Sequence, residues 1–535
     1  MQSTILLVIW GAVAYGIFQI ASRIIANRRH AEKAKEWKCQ EPPHYPDCGF
    51  LGLKHLKYMQ DADKKRLFPD MMVDRQRFMS ELHGRECSTF TFSVLGQKML
   101  FTSDPKNIQA MLATKFDDFG VGESRRGNMT VSIGDGIFVQ DGKAWEHSRG
   151  LLRPNFVRDQ VSDLDMEERH MKNLLKVLKT DSEGWTAITD IQTLFFRFTI
   201  DSATDFLFGD SVESQLAEAD DVSLRPQNDR ETSDEKSFSF NFDAAQRHLA
   251  ARFRLGDMYW MHNPKDFKEN NKIINDFIKR YVNIALKKRS EEKKVEEGHG
   301  DKKHYVFVEA IAEQTQDPEE IRGQLLNILL AGRDTTASLL SWLFHELLRH
   351  PEVFEKLRST IIEEFGTFEN PRNISFASLK GCQYLQNTLS ETLRVWTTVP
   401  GNGRRTNKDT MLPRGGGPDG ESPVYLRAQS DALYSTHVMH RRKDLWGEDA
   451  DQFKPERFQG RRPGWEFLPF NGGPRICIGQ QFALTEAAYV IVRLLQRFDR
   501  IDATGQEVEE VVTSNLTLTS APGKNVHLRF HAAKE

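Results

Sequence analysis

The sequence is poor in cysteine, with five residues in 535, and its charges nearly cancel, with 73 basic and 76 acidic side chains. A small, odd set of cysteines excludes a disulfide-dense secreted scaffold and suits a reducing compartment. A formal net charge of −3 argues against binding nucleic acid by broad phosphate neutralisation, so we expect no nucleic-acid partner. The chain also lacks an internal repeat. Its 10% aromatic content excludes wholesale disorder, and its length allows a large core.

The N-terminus lacks charge altogether, because Met1–Ser22 contains no Asp, Glu, Lys or Arg. As a helix, residues 4–25 would span about 33 Å, enough for a bilayer core of about 30 Å. Six basic and two acidic residues follow at positions 23–38. Basic flanks stay cytosolic, whereas a cleaved signal peptide carries them before its apolar run. The pattern predicts a retained transmembrane anchor at residues 1–25 and a cytosolic body; a buried or interfacial helix is the alternative.

After the anchor we expect a basic, proline-rich spacer at residues 26–46 and one mainly α-helical domain at residues 47–535. The segment Glu41-Pro-Pro-His-Tyr-Pro46 cannot continue a helix and should be extended. Two polar tracts, 217–236 and 289–304, are typical of solvated loops. Apolar residues at helical spacing predict helices at 105–114, 144–157, 165–179, 190–208, 240–260, 266–288, 318–349, 351–365, 383–397 and 479–497. Strands are expected at 89–102, 423–428 and 525–531.

The strongest chemical feature is the segment Phe470-Asn-Gly-Gly-Pro-Arg475-Ile-Cys477-Ile-Gly479, which precedes an apolar-periodic helix. Backbone N–H groups at the start of that helix would stabilise a thiolate at Cys477. Gly473 and Gly479 would give backbone freedom and let a flat ligand lie close, while Arg475 suits an acidic group on that ligand. With no second Cys or His nearby, the loop cannot form a zinc site. A single thiolate can instead be the axial ligand of a haem iron.

Two further segments carry groups that are unusual for their setting. In Ala331-Gly-Arg-Asp334-Thr335-Thr336, inside a long apolar helix, glycine weakens the helix and threonine hydroxyls can bond back to carbonyls, which would open a polar groove. A packing notch is the alternative. In Trp145-Glu-His-Ser-Arg149, Trp145 and Arg149 share a helix face and both donate hydrogen bonds that suit a carboxylate.

Glu391 and Arg394 form an acid–base pair at i, i+3, which is usually a surface pair. Downstream lies Pro455-Glu-Arg457-Phe458. These segments, with 331–336, 145–149 and above all 470–479, resemble the cytochrome P450 family, and the resemblance covers the chain from the anchor onward. It implies a mainly α-helical P450 fold with small β-sheets and haem b as cofactor.

The resemblance also assigns roles to individual residues. It implies that Cys477 is the iron ligand, that Phe470 and Gly479 belong to the haem-binding loop, and that Asp334 and Thr335 supply protons while O2 is activated. It places Glu391, Arg394 and Arg457 in a buried ion network that supports the loop. Donors to the haem propionates are expected from Trp145, Arg149, Arg404 and Arg475.

Within the family, the segments ILLAGRDTTA, LPRGGGPDG and FLPFNGGPRICIGQQFALTEAAYV resemble the fungal n-alkane and fatty-acid terminal hydroxylases. That branch implies an endoplasmic reticulum membrane protein that hydroxylates a small apolar substrate with O2. The chain has no flavin or nicotinamide loop, so its electrons would come from a separate NADPH–cytochrome P450 reductase. Alternatives are a monooxygenase of other apolar metabolites, a peroxide-rearranging member, and a haem binding or electron-transfer protein.

Overall fold

A computed structural model describes residues 2–156, 164–217, 219, 222–225, 229–292, 305–503 and 511–534. The chain divides into two compact units. The smaller unit comprises Met1–Lys57, Arg75–Gly120 and Gly403–Tyr434. The larger unit comprises Tyr58–Asp74, Val121–Asn402 and Ser435–Glu535.

Helices dominate the described chain. In chain order they are α1 Gln2–Glu36, α2 Leu53–Lys64, α3 Phe68–His83, α4 Pro105–Gln109, α5 Glu123–Ile133, α6 Gly142–Leu152, α7 Asp165–Val177, α8 Ile191–Phe208, α9 Ser214–Ala217, α10 Asp229–Arg254, α11 Lys265–Glu292, α12 Phe307–Gln314, α13 Pro318–Arg349, α14 Pro351–Phe365, α15 Phe376–Gly381, α16 Gln383–Val395, α17 Thr436–Met439, α18 Lys443–Trp446 and α19 Gln480–Arg497.

The strands are short. They are β1 Thr89–Val94, β2 Gln97–Thr102, β3 Phe119–Gly120, β4 Thr189–Asp190, β5 Asn402–Thr406, β6 Thr410–Gly416, β7 Ser422–Leu426, β8 Asp431–Tyr434, β9 Phe498–Asp502, β10 Ser514–Leu516, β11 Ser520–Pro522 and β12 His527–Ala532.

The largest sheet has the strand order β1-β2-β8-β5-β3. Its β1–β2 hairpin is antiparallel, with Thr89 opposite Thr102, while β2 and β8 run parallel. The hairpin turns at Leu95 and Gly96, both with positive φ. The pairs β6–β7 and β10–β11 and the three-stranded sheet β4-β12-β9 complete the β-structure of the described residues. A mainly helical fold with small sheets, as predicted, is confirmed.

The N-terminal helix α1 is, within the described part of the chain, the one helix long and apolar enough to cross a membrane. Its large apolar side chains are exposed, with Trp10 at 67% and Phe18 at 64%. The helix continues beyond the apolar stretch to Glu36, so the first half of the expected spacer is helical. There it packs within the smaller unit, where Lys33 pairs with Asp409 at 2.9 Å.

The core of the larger unit is built around α13. The side chain of Asp317 caps its N-terminus by accepting from the Glu319 N–H, and Pro318 occupies the first turn, where its missing N–H is not needed. Of its 32 residues, 22 are buried. Near its C-terminal end, Trp342 stacks on Trp396 with ring centres 4.0 Å apart. Helix α13 packs against α8, α11, α16 and α19.

Most predicted helices are present, and two have the predicted bounds, 318–349 and 351–365. The loop expected at 217–236 is wrong in its second half, because α10 begins at Asp229. Residues 229–236 contain neither Pro nor Gly, so their polarity alone does not prevent a helix. Of the second polar tract, residues 293–304 lie outside the described chain, and 289–292 belong to α11.

Candidate functional site

The Cys477 loop is held by its own backbone. The Cys477 N–H donates to the Phe470 carbonyl at 3.0 Å, and the Ile476 N–H donates to the Gly473 carbonyl at 3.0 Å. Gly473 has a φ of +68°, which favours glycine. The loop therefore presents the thiol three residues before the start of α19 in a defined position.

Of the two reasons expected for Gly479, the structure supports only the room for a flat ligand. Its φ of −89° suits any residue, so backbone freedom is not the requirement. A Cβ there would meet only the Phe156 ring, at the ordinary contact distance of 3.7 Å. Apart from the loop itself and the Phe156 ring, no described atom lies within 4 Å of that position, which leaves room for a flat ligand.

The Cys477 side chain is exposed to solvent, although nearby protein atoms partly desolvate its thiol. Burial raises the pKa of the Cys477 thiol, while the Gly479 N–H and the Arg149 guanidinium both lower it. The helix N-terminus thus supports a thiolate as expected, but desolvation outweighs that support. A bound cation would shift the balance toward the thiolate.

Basic and aromatic donors cluster beside this loop. The Arg475 guanidinium lies 4.5 Å from the Trp145 ring centre. The Arg149 guanidinium, one turn after Trp145 on α6, lies 5.8 Å from the same ring centre. Arg149 donates to the Ile476 carbonyl at 3.1 Å. Arg475 donates to the Asp141 carboxylate at 2.7 Å and to the Gln140 carbonyl at 2.9 Å. The three predicted donors are therefore brought together at the Cys477 loop.

Arg404, the fourth predicted donor, lies on β5. It is buried, donates to the Gly403 carbonyl at 2.8 Å and lies 5.7 Å from the Tyr434 ring centre. These contacts are within the smaller unit. A role for Arg404 at an acidic ligand group stays a prediction.

Helix α13 exposes a small face in the middle of an otherwise buried stretch. Ala331, Gly332 and Thr335 are partly accessible, while residues on both sides of them are buried. The Thr335 hydroxyl donates to the Ala331 carbonyl at 2.7 Å. This back-bond was expected, but the backbone remains α-helical from Pro318 to Arg349, so the groove does not come from a broken helix. It comes from small side chains.

Asp334 is buried beside this face. Burial raises its pKa to about 6, although the neighbouring Arg333 guanidinium lowers it. Arg333 donates to the Asp334 carboxylate at 3.1 Å. A carboxyl with a pKa near neutrality can both take up and release a proton under physiological conditions.

Sequence reasoning missed a second buried acid, Glu486 on α19. It accepts a hydrogen bond from the Ser202 hydroxyl of α8 at 2.5 Å, and the Thr336 hydroxyl of α13 also bonds to it. Burial raises its pKa to about 7. Glu486 thereby connects the helix that follows Cys477 to the helix that carries Thr335. No local spacing marks it, because its partners lie 150 and 284 residues away.

Glu391, Arg394 and Arg457 do meet in a buried network. Arg394 donates to both Glu391 oxygens, at 2.7 and 2.8 Å, with both side chains fully buried. Arg457 donates to the same carboxylate at 3.2 Å and to Asp449 at 2.7 Å. The remaining Arg394 donors reach the carbonyls of His440, Ala450 and Gln452.

His440 links this network to the loop. Its Nε2 accepts a hydrogen bond from the Leu468 N–H at 3.0 Å, two residues before Phe470. Burial and the Arg394 charge lower the pKa of His440 to about 3, so the ring is neutral and can accept. The sequence offered no signal for His440, because its role depends on a backbone group 28 residues away.

These residues fit a haem group. Among the described residues no cluster of three or more His, Cys, Asp or Glu could hold a bare metal ion. A metal at Cys477 must therefore bring its own ligands, as iron in a porphyrin does. The open side of Gly479 suits a flat ring, and Trp145, Arg149 and Arg475 suit its acidic substituents.

Comparison with known proteins agrees with this fit. Residues 70–528 match the cytochrome P450 family model. Cytochrome P450 monooxygenase g430 from Fusarium sp is 49% identical over 523 residues, which cover 97% of this chain and 90% of that protein. Cytochrome P450 52A5 from Candida maltosa is 43% identical over 487 residues, covering 90% of this chain and 89% of that protein.

The fold is shared as well. The crystal structure of the cytochrome P450DA heme domain superposes with a TM-score of 0.71 at 20% sequence identity, covering 93% of this chain and 98% of that chain. The chain belongs to the cytochrome P450 family. It is a haem monooxygenase with haem b as its cofactor, and it uses O2, an apolar substrate and a redox partner. When bound, haem b supplies the redox-active iron at which O2 is activated.

Proposed function

We propose that this protein is a membrane-anchored haem-thiolate monooxygenase that hydroxylates a long-chain fatty acid or n-alkane at or near its terminal carbon. Cys477 is its single protein ligand to iron. The observation that carries this proposal is the Cys477 loop, where one thiol is held next to open space and beside three clustered donors. Phe470 fixes the loop by accepting the Cys477 N–H.

The clustered arginines would bind the two propionate groups of haem. Arg149 and Arg475 flank the Trp145 ring on the side of the loop and would neutralise the two propionates. Arg404 is the fourth proposed donor. Arg475 already donates to Asp141, so propionate binding would share or replace that ion pair.

Proton handling is assigned to α13. Thr335 presents its hydroxyl on the accessible face formed with Ala331 and Gly332, where O2 and water would enter. Asp334, with its pKa near 6, is suited to take a proton from solvent and pass it toward Thr335. Glu391, Arg394 and Arg457 play a structural part by supporting the loop.

The substrate assignment is supported by ancestry. Cytochrome P450 52A5 and 52A6, from Candida maltosa and Candida tropicalis, share 43% and 42% identity with this chain over 90% of its length. The chain also carries the ILLAGRDTTA segment, which resembles the fungal n-alkane and fatty-acid hydroxylases. Membrane anchoring suits a substrate that dissolves in lipid.

We assign the protein to the endoplasmic reticulum membrane as a single-pass protein with a cytosolic catalytic body, and its redox partner to NADPH–cytochrome P450 reductase. The exposed apolar part of α1 and its basic flank support this orientation.

The test is a product profile. Purified protein with reductase and NADPH would be given a mixture of fatty acids, n-alkanes and terpenoids, and the products identified by mass spectrometry. Terminal hydroxylation of the alkyl chains supports the assignment. Turnover of terpenoids alone would overturn it.

A second candidate is a monooxygenase of another apolar metabolite. The Fusarium protein, at 49% identity against 40–44% for the Candida proteins, is named only as a cytochrome P450 monooxygenase, so the higher identity leaves the substrate class open. The same substrate panel separates the two candidates, because each predicts products from a different part of the mixture.

A further inference from the structure

Arg333 lies between two carboxylates that belong to different helices. On α13 it donates to Asp334, its neighbour, at 3.1 Å. On α10 it bonds to Asp243 through the same terminal nitrogen. Asp334 is 2% exposed at its side chain, whereas Asp243 is 44% exposed. The guanidinium thus joins an interior carboxyl to one that reaches solvent.

Two aromatic rings also lie beside Arg333. Its guanidinium lies 5.3 Å from the Phe196 ring centre of α8 and 5.6 Å from that of Phe242 on α10. Its side chain is 3% exposed. A buried guanidinium without a carboxylate partner is strongly disfavoured in such a place, because burial removes the hydration of the charge.

Asp334 has few other hydrogen-bond partners among the described residues. Its Oδ2 is buried and has no well-formed hydrogen bond among the described residues, although the Gln246 amide of α10 is close enough to lower its pKa. The charged groups that face Asp334 are Arg333 from α13 and Asp243 from α10. Arg333 lowers the pKa of Asp334, and Asp243 raises it.

Asp334 and Thr335 point in different directions from α13, since neighbouring helical residues differ by about 100°. The Asp334 carboxyl must therefore leave Arg333 and turn before it can serve Thr335. Protonation weakens its bond to the guanidinium, but Arg333 then needs another anion.

We propose that Asp243 is that anion: it is a positioning residue that keeps the Arg333 guanidinium paired while Asp334 protonates and turns toward Thr335. This inference rests on the proposed role of Asp334 and Thr335 in proton supply. Arg333 stays protonated throughout, because guanidinium does not release its proton in proteins. The proton comes from solvent to Asp334 and leaves toward Thr335, after which the Asp334 anion pairs with Arg333 again.

The test is Asp243→Asn, with Asp243→Glu as the variant that keeps the charge. Loss of the Asp243 charge removes a repulsion on Asp334 and a competing carboxylate on Arg333, so both effects favour the ionised form of Asp334. A fall of one unit in the pKa lowers its protonated fraction at neutral pH about tenfold. We therefore expect up to about tenfold less product per NADPH, with the missing electrons recovered as hydrogen peroxide from O2. Asp243→Glu should restore most of the yield.

A second readout does not depend on turnover. The carboxylic-acid C=O band of Asp334, taken as the infrared difference against Asp334→Asn, should titrate at lower pH in the Asp243→Asn background than in the wild type. Glu269→Gln removes a surface charge on α11, where Glu269 pairs with Lys265 at 3.4 Å, and should leave both readouts unchanged.

The outcomes distinguish failure of the Asp243 proposal from failure of the proposed function. If the infrared midpoint does not move, or moves while product per NADPH stays at the wild-type value, the role of Asp243 is wrong and the proposed function stands. If the wild-type protein forms no hydroxylated product from any substrate, the proposed function fails. The infrared titration still decides whether Asp243 controls the charge of Asp334.

Discussion

Cys477 and Thr335 are the single residues on which the proposed chemistry depends most directly. Both are accessible, and each is held by one short backbone contact: Cys477 through the Phe470 carbonyl and Thr335 through the Ala331 carbonyl. Because neither side chain fills the core, substitutions at these positions test function with little effect on folding.

Replacement of Cys477 by Ser should abolish the absorbance band of thiolate-ligated reduced haem with CO and reduce product formation below detection. A serine hydroxyl stays protonated where a thiol ionises, so the anionic ligand is lost. The free energy of unfolding of the haem-free protein should change by no more than about 1 kcal/mol, because the Cys477 side chain is exposed. Cys39→Ser, at a cysteine in the smaller unit, is the control and should keep the band. A full thiolate band in the Cys477 variant would show that another residue binds the iron.

Thr335→Ala removes the hydroxyl of the accessible face. Positioned proton-transfer groups contribute about 10²–10⁴-fold, so we expect product per NADPH to fall by about a hundredfold or more. NADPH consumption should continue, and hydrogen peroxide should rise. Thr335→Ser keeps the hydroxyl and should retain most of the yield. Equal coupling in the Ala variant and the wild type would remove Thr335 from proton supply.

At the scale of elements, the ion network around Glu391 fixes α16 to the segment that leads to the Cys477 loop. Arg394 spans from α16 to the carbonyls of His440, Ala450 and Gln452, and His440 in turn accepts from the Leu468 N–H. Damage to the network should therefore loosen haem binding as well as lower stability.

Glu391→Gln should lower the free energy of unfolding by about 3–5 kcal/mol, because it leaves the buried Arg394 charge without its partner. Haem content after purification should fall in parallel. Glu448→Gln is a matched control: the same change breaks a pair with Lys443, at 3.1 Å, where Glu448 is 90% exposed, and exposed pairs contribute about 0–1 kcal/mol. Similar losses in both variants would contradict a supporting role for the network.

We expect the stability of the fold to depend on pH through Glu486, because this buried carboxyl joins α19 to α8 and α13. Its pKa is raised from 4.5 to about 7, so the unfolded chain loses this proton first and stability falls as pH rises from 4.5 to about 7. Glu486→Gln has no carboxyl to titrate and so lacks this loss. The free energy of unfolding of the variant relative to wild type should therefore rise by up to about 3 kcal/mol from pH 4.5 to about pH 7.

Chemical denaturation of both proteins across this pH window measures the difference. His440, whose pKa is lowered to about 3, acts in the opposite sense by destabilising the fold as pH falls below 6.5, but it does so equally in both proteins. A difference between the two proteins that stays constant with pH would show that Glu486 does not titrate in this window.

Local signals predicted the elements better than the contacts between them. The Asp317-Pro318 start and the Pro351 that follows α13 both act on neighbouring backbone, so the bounds 318–349 could be predicted. The roles of the motif residues in the Cys477 loop, α6 and α16 were instead implied by the resemblance to the cytochrome P450 family. The partners Asp243, His440 and Glu486 could not be found, because each acts on residues 28 to 284 positions away.

At the scale of the whole molecule, the apolar N-terminal helix is the proposed membrane anchor. Deletion of residues 2–25 should release the protein from membranes on alkaline carbonate washing, whereas the full chain stays in the pellet, since about 20 apolar residues anchor a helix stably. A variant with residues 2–25 in scrambled order keeps length and composition and should remain bound. Retention of the deleted form would place membrane attachment elsewhere in the chain.

The same helix also connects the apolar stretch to the smaller unit without a flexible linker. It runs without a break from the apolar stretch to Glu36, and its last turns are fastened within the smaller unit by Lys33 on Asp409 and by His30 on the Tyr425 hydroxyl at 2.8 Å. Residues 26–36 rise by about 16 Å at 1.5 Å per residue. In the proposed membrane-anchored protein, this continuous helix would limit how far the smaller unit can move relative to the bilayer surface. Ala26→Pro would break the helix between the apolar stretch and the smaller unit, so the orientation of that unit relative to the bilayer would become variable.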